Sequence, residues 1–174
     1  MLVLMTDDER LPDPISAAKH LPKGSMVIVR SRDPAKRAQW TRALMALARS
    51  RGLLVLIAND AALASRCGAD GLHLSEATAR EALRWRAVRP NWFISAAAHS
   101  LRAAILAKFV DAIVLSPVFE TRSHPGRRAM TPVRGNRIAR DVATPVYALG
   151  GVSARNAALL CGFAGIAAIG ALVP

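Results

Sequence analysis

Cysteine is scarce in this chain, with two residues, Cys67 and Cys161, among 174. Two cysteines so far apart form neither a disulfide framework nor a metal-binding cluster, and they suit a reducing compartment. Long hydrophobic runs are also missing, since no apolar stretch approaches the ~20 residues that cross a membrane. The apolar residues 1–5 are too few, and too closely followed by acidic residues, to form a signal peptide. We therefore expect a cytoplasmic protein with no membrane partner.

Aromatic residues are few, at 5% of the chain, and lysine supplies only four of the 24 basic residues. The net charge of +12 nevertheless raises the question of nucleic-acid binding. The aromatic side chains are too few for a base-stacking surface, and no zinc-finger spacing occurs. We expect no nucleic-acid partner and assign the positive charge to the attraction of small anionic substrates.

Short apolar runs and amphipathic stretches alternate along the whole chain. The eight runs are residues 2–5, 26–29, 53–58, 71–74, 92–96, 112–116, 146–149 and 166–169, and the helical stretches are 15–21, 34–50, 61–67, 78–86, 101–109, 133–141 and 154–161. The clearest helix has Asp33 as its N-cap and Pro34 in its first turn. Alternation of this kind predicts a parallel α/β sheet.

Eight strand–helix units predict a (β/α)8 TIM barrel, formed as one domain by residues 1–174. Such barrels usually need ~250 residues, so the barrel is expected to be compact. The sequence ends soon after the eighth run, so we expect the last helix to be short or missing. Apolar barrel surface left uncovered there suggests either a homodimer interface or a ragged edge. A doubly wound open sheet is the alternative fold.

Polar residues and glycines follow the ends of most predicted strands. In a barrel, catalytic groups lie at these carboxyl ends. Each residue also has an ordinary explanation: Asp60 as a helix cap, His73 as a satisfied core histidine, Arg32 as a surface charge. Taken together, they predict one rim pocket for a phosphorylated small molecule. The set is Arg30, Arg32, Asn59, Asp60, His73, Glu76, His99, Thr121, Ser123, His124, Gly150, Gly151 and Gly170.

Residues 146–153 show this pattern most clearly, because an apolar run stops at Gly150 and Gly151 before Ser153. Glycines allow the backbone to approach a ligand closely. If a helix begins at Ser153, its free N–H groups favour a phosphate. The alternative is an ordinary strand-to-helix turn in which Ser153 is the N-cap.

Six segments together resemble the family of thiamine phosphate synthase and the TenI-like thiazole tautomerases. They are Leu-Met-Thr-Asp at 4–7, Leu-Ile-Ala-Asn-Asp at 56–60, Gly-Ala-Asp-Gly-Leu-His-Leu at 68–74, His-Ser-Leu at 99–101, Ser-Pro-Val-Phe-Glu-Thr at 116–121 and Ala-Leu-Gly-Gly-Val at 148–152. They occur in the family's order and span most of the chain. The resemblance implies a (β/α)8 barrel, in agreement with the strand count.

The family's synthases join a pyrimidine diphosphate to a thiazole phosphate and release pyrophosphate with magnesium. On this resemblance, Arg30, Arg32 and Asn59 would contact the diphosphate, and Asp60 would bind magnesium with Glu76 as its candidate partner. Where synthases typically have Gln, Lys, Asp, Ser, Lys and Ser, this chain has Ile28, Arg32, Thr78, Ala97, His124 and Gly170. Because magnesium needs several oxygen ligands, loss of one of two carboxylates weakens such a site.

The tautomerases of the family shift a proton on a thiazole phosphate and need no metal cofactor. In them a histidine at the position of His99 is the acid–base group, which suits a side chain with a pKa near neutrality. The sequence therefore favours a TenI-like reaction, with phosphate held by Gly150, Gly151 and Gly170. Two alternatives stay open: a divergent magnesium-dependent synthase, and a non-catalytic relative that binds a phosphorylated ligand.

Overall fold

The computed structural model describes residues 1–121 and 129–170. Its eight strands are β1 (Leu2–Met5), β2 (Met26–Val29), β3 (Leu54–Ala58), β4 (Gly71–Leu74), β5 (Phe93–Ala98), β6 (Ala112–Leu115), β7 (Val146–Ala148) and β8 (Gly165–Ala168). The α-helices are α1 (Pro14–Lys19), α2 (Pro34–Arg51), α3 (Ala61–Cys67), α4 (Ala82–Val88), α5 (Leu101–Leu106) and α6 (Pro132–Asp141). Two 3₁₀ helices, Glu76–Glu81 and Ala157–Leu159, complete these elements.

The strands form a closed barrel in sequence order. All pairs are parallel, and β1 closes the ring by pairing with both β2 and β8, with Val3 opposite Met26 and Leu2 opposite Ile166. The predicted (β/α)8 class is therefore confirmed, and the alternative of an open sheet is wrong. The expected short or missing last helix falls on residues 171–174, which lie outside the described part of the chain.

Successive strand residues point to opposite faces, and the barrel uses this alternation to build two apolar layers. On β2, Met26 and Ile28 pack inside the barrel with Leu56 of β3. The intervening Val27 and Val29 pack outward in the cluster that includes the helices. Nearly complete burial of both faces explains why these strands are continuous apolar runs.

Helix α2 begins as the sequence predicts, because Asp33 accepts hydrogen bonds from the backbone N–H groups of Ala35 and Lys36. Asp60 caps α3 in the same way by accepting from the N–H of Leu63. These caps place the first turns of α2 and α3 at the mouth of the barrel. None of the helices in the described ranges is long and apolar enough to span a membrane.

The helix expected to begin at Ser153 does not form, which corrects the prediction that a helix N-terminus lies beside the glycine turn. Asn156 causes the difference by bonding backbone groups on both sides of a tight loop. Its Oδ1 accepts from the N–H of Ser153 at 2.8 Å, and its Nδ2 donates to the carbonyl of Gly151 at 2.9 Å. The following 3₁₀ turn, Ala157–Leu159, is too short to supply a helix dipole.

Candidate functional site

A cavity of about 580 Å³ lies at the carboxyl end of the barrel. Its wall is made by residues that end the strands or follow them directly, as expected for this architecture. Eight of the residues predicted for the site line it together: Arg30, Asn59, His73, His99, Thr121, Gly150, Gly151 and Gly170. Their roles toward a ligand remain predictions.

The other predicted site residues fall into two groups. Arg32, Asp60 and Glu76 do not line this cavity. The side chain of Arg32 is exposed, while Asp60 and Glu76 are bonded to neighbouring side chains. Ser123 and His124 lie outside the described residues, and their contacts with a ligand stay predictions.

His73 lies in β4 inside the barrel, where 5% of its surface is exposed. Its Nδ1 is 2.9 Å from the hydroxyl of Ser95, its register partner on β5. Burial, with a smaller contribution from the charge of Arg30, lowers the pKa of His73 from its ordinary 6.5 to about 4. The ring is therefore neutral at neutral pH, and Nε2 is the nitrogen available to a bound molecule. His73 is thus a buried histidine with a hydrogen-bond partner, and it also lines the cavity.

His99 follows β5 and is held by Glu76, the first residue of the 3₁₀ helix after β4. The carboxylate Oε2 of Glu76 lies 2.7 Å from Nδ1 of His99 and accepts the backbone N–H of His99 at 2.8 Å. This double contact fixes the imidazole, and a carboxylate on Nδ1 leaves Nε2 for the cavity. A histidine held in this way is equipped to move a proton.

Arg10 and Arg30 form a cationic edge of the cavity around one carboxylate. Asp7 Oδ2 lies 2.6 Å from Nη2 of Arg10 and 2.7 Å from Nη2 of Arg30. The side-chain hydrogen bond from Arg10 is the main reason why the pKa of Asp7 lies well below its usual range, despite partial burial. Because Asp7 stays ionised, it holds both guanidinium groups, and this trio retains one net positive charge. That charge favours an anionic ligand.

Asn59 presents an amide to the cavity from the turn after β3. Its backbone has φ of +51°, a left-handed conformation that asparagine tolerates. Its Oδ1 accepts from the N–H of Ser75 at 2.9 Å and from the hydroxyl of Thr78 at 3.0 Å. The oxygen is thus engaged, while no hydrogen bond within residues 1–121 and 129–170 uses the two N–H donors of the amide, which leaves them for a ligand oxygen.

Asp60 and Glu76 do not fit a shared magnesium site. Asp60 Oδ1 accepts the N–H of Leu63 at 2.8 Å, and Oδ2 accepts Nη2 of Arg37 at 3.0 Å. Glu76 is bonded to His99 instead of facing Asp60. Over residues 1–121 and 129–170, no three His, Cys, Asp or Glu side chains come together to hold a metal ion. Magnesium requires several oxygen ligands in a near-octahedral set, and these residues do not assemble one.

The glycine turn after β7 is required by packing as well as by any ligand. Gly150 and Gly151 have φ of +96° and +64°. A Cβ on Gly150 would lie 2.9 Å from Pro117, and one on Gly151 would lie 2.3 Å from the carbonyl oxygen of Glu120. Among the described residues, no hydrogen bond uses the N–H groups of these glycines. Consecutive free N–H groups in a turn form a concave site for an anion.

The cavity wall also contains two arginines that were not predicted for the site, Arg10 and Arg37. Arg37 lies in α2, near its first turn, and is part of the cavity lining. One signal was present, since Asp33 and Pro34 place Arg37 near the first turn of a helix that follows a barrel strand. Such a turn lies at the functional rim. For Arg10 the sequence carries no comparable signal, because it follows β1 in an irregular loop.

Comparison with known proteins agrees with this architecture. The family model described as "Thiamine monophosphate synthase" matches residues 2–172. The chain is 36% identical over 140 residues to the Aquifex aeolicus protein named "Putative thiamine-phosphate synthase 2", covering 78% of this chain and 75% of that protein. It is 31% identical over 148 residues to "Thiamine-phosphate synthase" of Chromobacterium violaceum, covering 82% and 71%.

Among solved structures, "Thiamine phosphate pyrophosphorylase" from Pyrococcus furiosus superposes with a TM-score of 0.76 at 23% sequence identity, over 97% of this chain and 84% of that one. At this identity the likeness supports the barrel fold alone. The match of the family model over nearly the whole sequence, with relatives above 30% identity, decides the family. The chain belongs to the thiamine monophosphate synthase family of thiamine biosynthesis.

Proposed function

We propose that this chain joins a phosphorylated pyrimidine to a phosphorylated thiazole and releases pyrophosphate, as a thiamine-phosphate synthase does. The sequence alone favours a TenI-like proton shift and leaves this transfer as an alternative. The names of the relatives reverse that order, because both sequence relatives are named as synthases.

The observation that carries the proposal is that two groups of donors suited to anions line one cavity, one group after β1, β2 and β3 and the other after β7. Arg10, Arg30 and Asn59 supply guanidinium and amide donors from the loops after β1, β2 and β3. Gly150 and Gly151 supply backbone N–H groups from the loop after β7. A cavity of this kind suits two phosphorylated substrates that must meet.

In the transfer, the bond between the pyrimidine-bearing carbon and the diphosphate oxygen breaks as the bond to the thiazole forms. The bonding electron pair leaves with the pyrophosphate, so negative charge grows on that group. Arg10 and Arg30 are held in place by Asp7 before the reaction begins, and fixed cations stabilise developing negative charge at little reorganisation cost. Asn59 can donate to the same group.

The test is a coupling assay that follows pyrophosphate release from the pyrimidine diphosphate and the thiazole phosphate. Arg30→Gln removes a cation of the cavity, and Arg42→Gln removes one from the exposed face of α2. We expect Arg30→Gln to lower kcat/KM by about tenfold or more, the loss for a charge-assisted contact, and Arg42→Gln to leave it unchanged. Binding of both substrates without any product would instead indicate a non-catalytic binding protein and would overturn the proposal.

One contact favours a second candidate function, the proton shift on a thiazole phosphate. The bond from Glu76 to Nδ1 of His99 is the arrangement that fixes a histidine for acid–base work. Isomerisation should then disappear in His99→Ala and fall in Glu76→Gln, with the pH profile shifted in the latter. Full isomerisation by His99→Ala would remove His99 from this role.

Two further expectations belong to this proposal. We place the reaction in the cytoplasm, as the sequence composition suggests, and we keep the homodimer as a prediction. Gel filtration with light scattering measures the second directly: a mass of twice 18.5 kDa is expected, and a monomer at all concentrations would contradict it.

A further inference from the structure

Arg37 holds Asp60 in the place where the family resemblance implies a magnesium ligand. The guanidinium reaches from α2 to the loop after β3, with Nη2 3.0 Å from Asp60 Oδ2 and Nη1 3.3 Å from the carbonyl of Ser31. Both partners are largely shielded, with 22% of the Arg37 side chain and 23% of the Asp60 side chain exposed. The ion pair is therefore a partly buried part of the rim and not a contact between two exposed surface side chains.

Arg37 also retains donors that this pairing does not use. Its two bonds occupy one N–H on each terminal nitrogen, and its buried Nε has no hydrogen-bond partner among the described residues. A guanidinium carries five N–H groups in a rigid fork that matches phosphate oxygens. Since Arg37 lines the cavity beside Asn59, it can hold Asp60 and face an anion at the same time.

The electrostatic consequence concerns any anion that approaches Asn59. An uncovered Asp60 carboxylate next to Asn59 would repel it, and a divalent cation is one way to remove that repulsion. Arg37 removes it without an ion. The resemblance places the second magnesium carboxylate at Thr78, but here the Thr78 hydroxyl donates to Asn59 Oδ1. Both positions of the implied metal site are therefore used by hydrogen bonds within the protein.

We propose that this rim binds a diphosphate anion without a divalent cation, because Arg37 neutralises Asp60 and supplies the positive charge that a metal would bring. The inference deepens the proposed function, since pyrophosphate is the group released in the transfer. It concerns binding, so it can be tested separately from turnover.

The test is calorimetric titration of inorganic pyrophosphate into the purified chain, first with a chelator and then with magnesium. We expect the chain to bind pyrophosphate in the chelator, with no gain when magnesium is added. Arg37→Gln should weaken this binding by about tenfold or more, as for the loss of a charge-assisted contact. Arg42→Gln removes the same charge from the exposed face of α2 and should leave the affinity unchanged.

A second pair of variants separates electrostatics from misfolding. Asp60→Asn keeps a side chain that can cap α3, so the fold should be retained. Binding in the chelator should persist in Asp60→Asn, and in Arg37→Gln/Asp60→Asn it should recover part of what Arg37→Gln loses, because no carboxylate is left uncovered. Circular dichroism spectra check that each variant is folded.

The inference is overturned if the wild type binds pyrophosphate only with magnesium, or if Arg37→Gln binds pyrophosphate in the chelator as tightly as the wild type does. Coupling activity with such magnesium-dependent binding would sink this inference and leave the proposed function standing. Metal-free pyrophosphate binding without any coupled product would support this inference and contradict the proposed function.

Discussion

Replacing Gly151 with alanine should destabilise the chain more than the same change at Gly68, and the comparison isolates a close backbone contact. Both glycines have φ of +64°. Among the described residues, a Cβ on Gly68 meets nothing within 4 Å. One on Gly151 would lie 2.3 Å from the carbonyl oxygen of Glu120 and 2.7 Å from Cβ of Phe119. The two variants therefore share the conformational strain and differ in the clash.

The expected magnitudes follow from these two contributions. An alanine in the left-handed region costs about 1 kcal/mol, so Gly68→Ala should lose about that much. The collision at Gly151 involves backbone, which cannot rotate away, and forced overpacking adds about 1–3 kcal/mol. Gly151→Ala should thus lose about 2–4 kcal/mol in total.

Urea unfolding of the wild type and both variants measures these differences, provided that the m-value stays constant. Phosphate binding gives a second readout, because Gly151 lines the cavity and Gly68 does not. We expect Gly151→Ala to bind thiazole phosphate more weakly and Gly68→Ala to bind it normally. Equal destabilisation of the two variants would refute the close approach of this turn to the loop after β6.

Three further predictions concern the cavity. Folding lowers the pKa of His73 from 6.5 to about 4, so the unfolded state binds more protons between these pH values. The contribution of His73 to the free energy of unfolding should therefore fall by about 3 kcal/mol as the pH drops from 6.5 to 4. An equal dependence of stability on pH in His73→Gln would contradict this. Ser95→Ala removes the partner of His73 Nδ1 and should cost about 1–3 kcal/mol in urea unfolding; an unchanged midpoint would argue against that bond. In the part of the chain that the structure describes, the nearest neighbour of a Cβ on Gly170 would be the carbonyl oxygen of Arg10 at 3.7 Å. Gly170→Ala should therefore change stability by less than about 0.5 kcal/mol, and a loss of thiazole phosphate binding in calorimetry would report ligand contact.

The barrel could be predicted because its signals are local. Each strand is a short apolar run between turn residues, and the start of α2 is determined within a few residues by Asp33 and Pro34. For the segment after β7 the same reasoning gave a wrong prediction. Ser153 followed by alanines is typical of a capped helix, but Asn156 bonds back to Gly151 and Ser153 and closes a loop instead. A side chain that competes for backbone groups is not visible in apolar periodicity.

The sequence predicted which residues lie at the ends of the strands, but it did not predict which of them contact one another. His73 and His99 could be placed at the rim from their positions after or within strands. The bond between Glu76 and His99, and that between Arg37 and Asp60, join residues 23 positions apart in the sequence. Such contacts depend on how neighbouring units pack, so the sequence does not show that Asp60 and Glu76 each have a protein partner.

The most direct measurement is a crystal structure of this chain with thiazole phosphate and pyrophosphate bound together. The account predicts the thiazole phosphate group at the N–H groups of Gly150 and Gly151, and pyrophosphate between Arg30, Arg37 and Asn59. Well-ordered ligands at another place on the barrel, or a rim that stays empty at saturating concentrations, would contradict it.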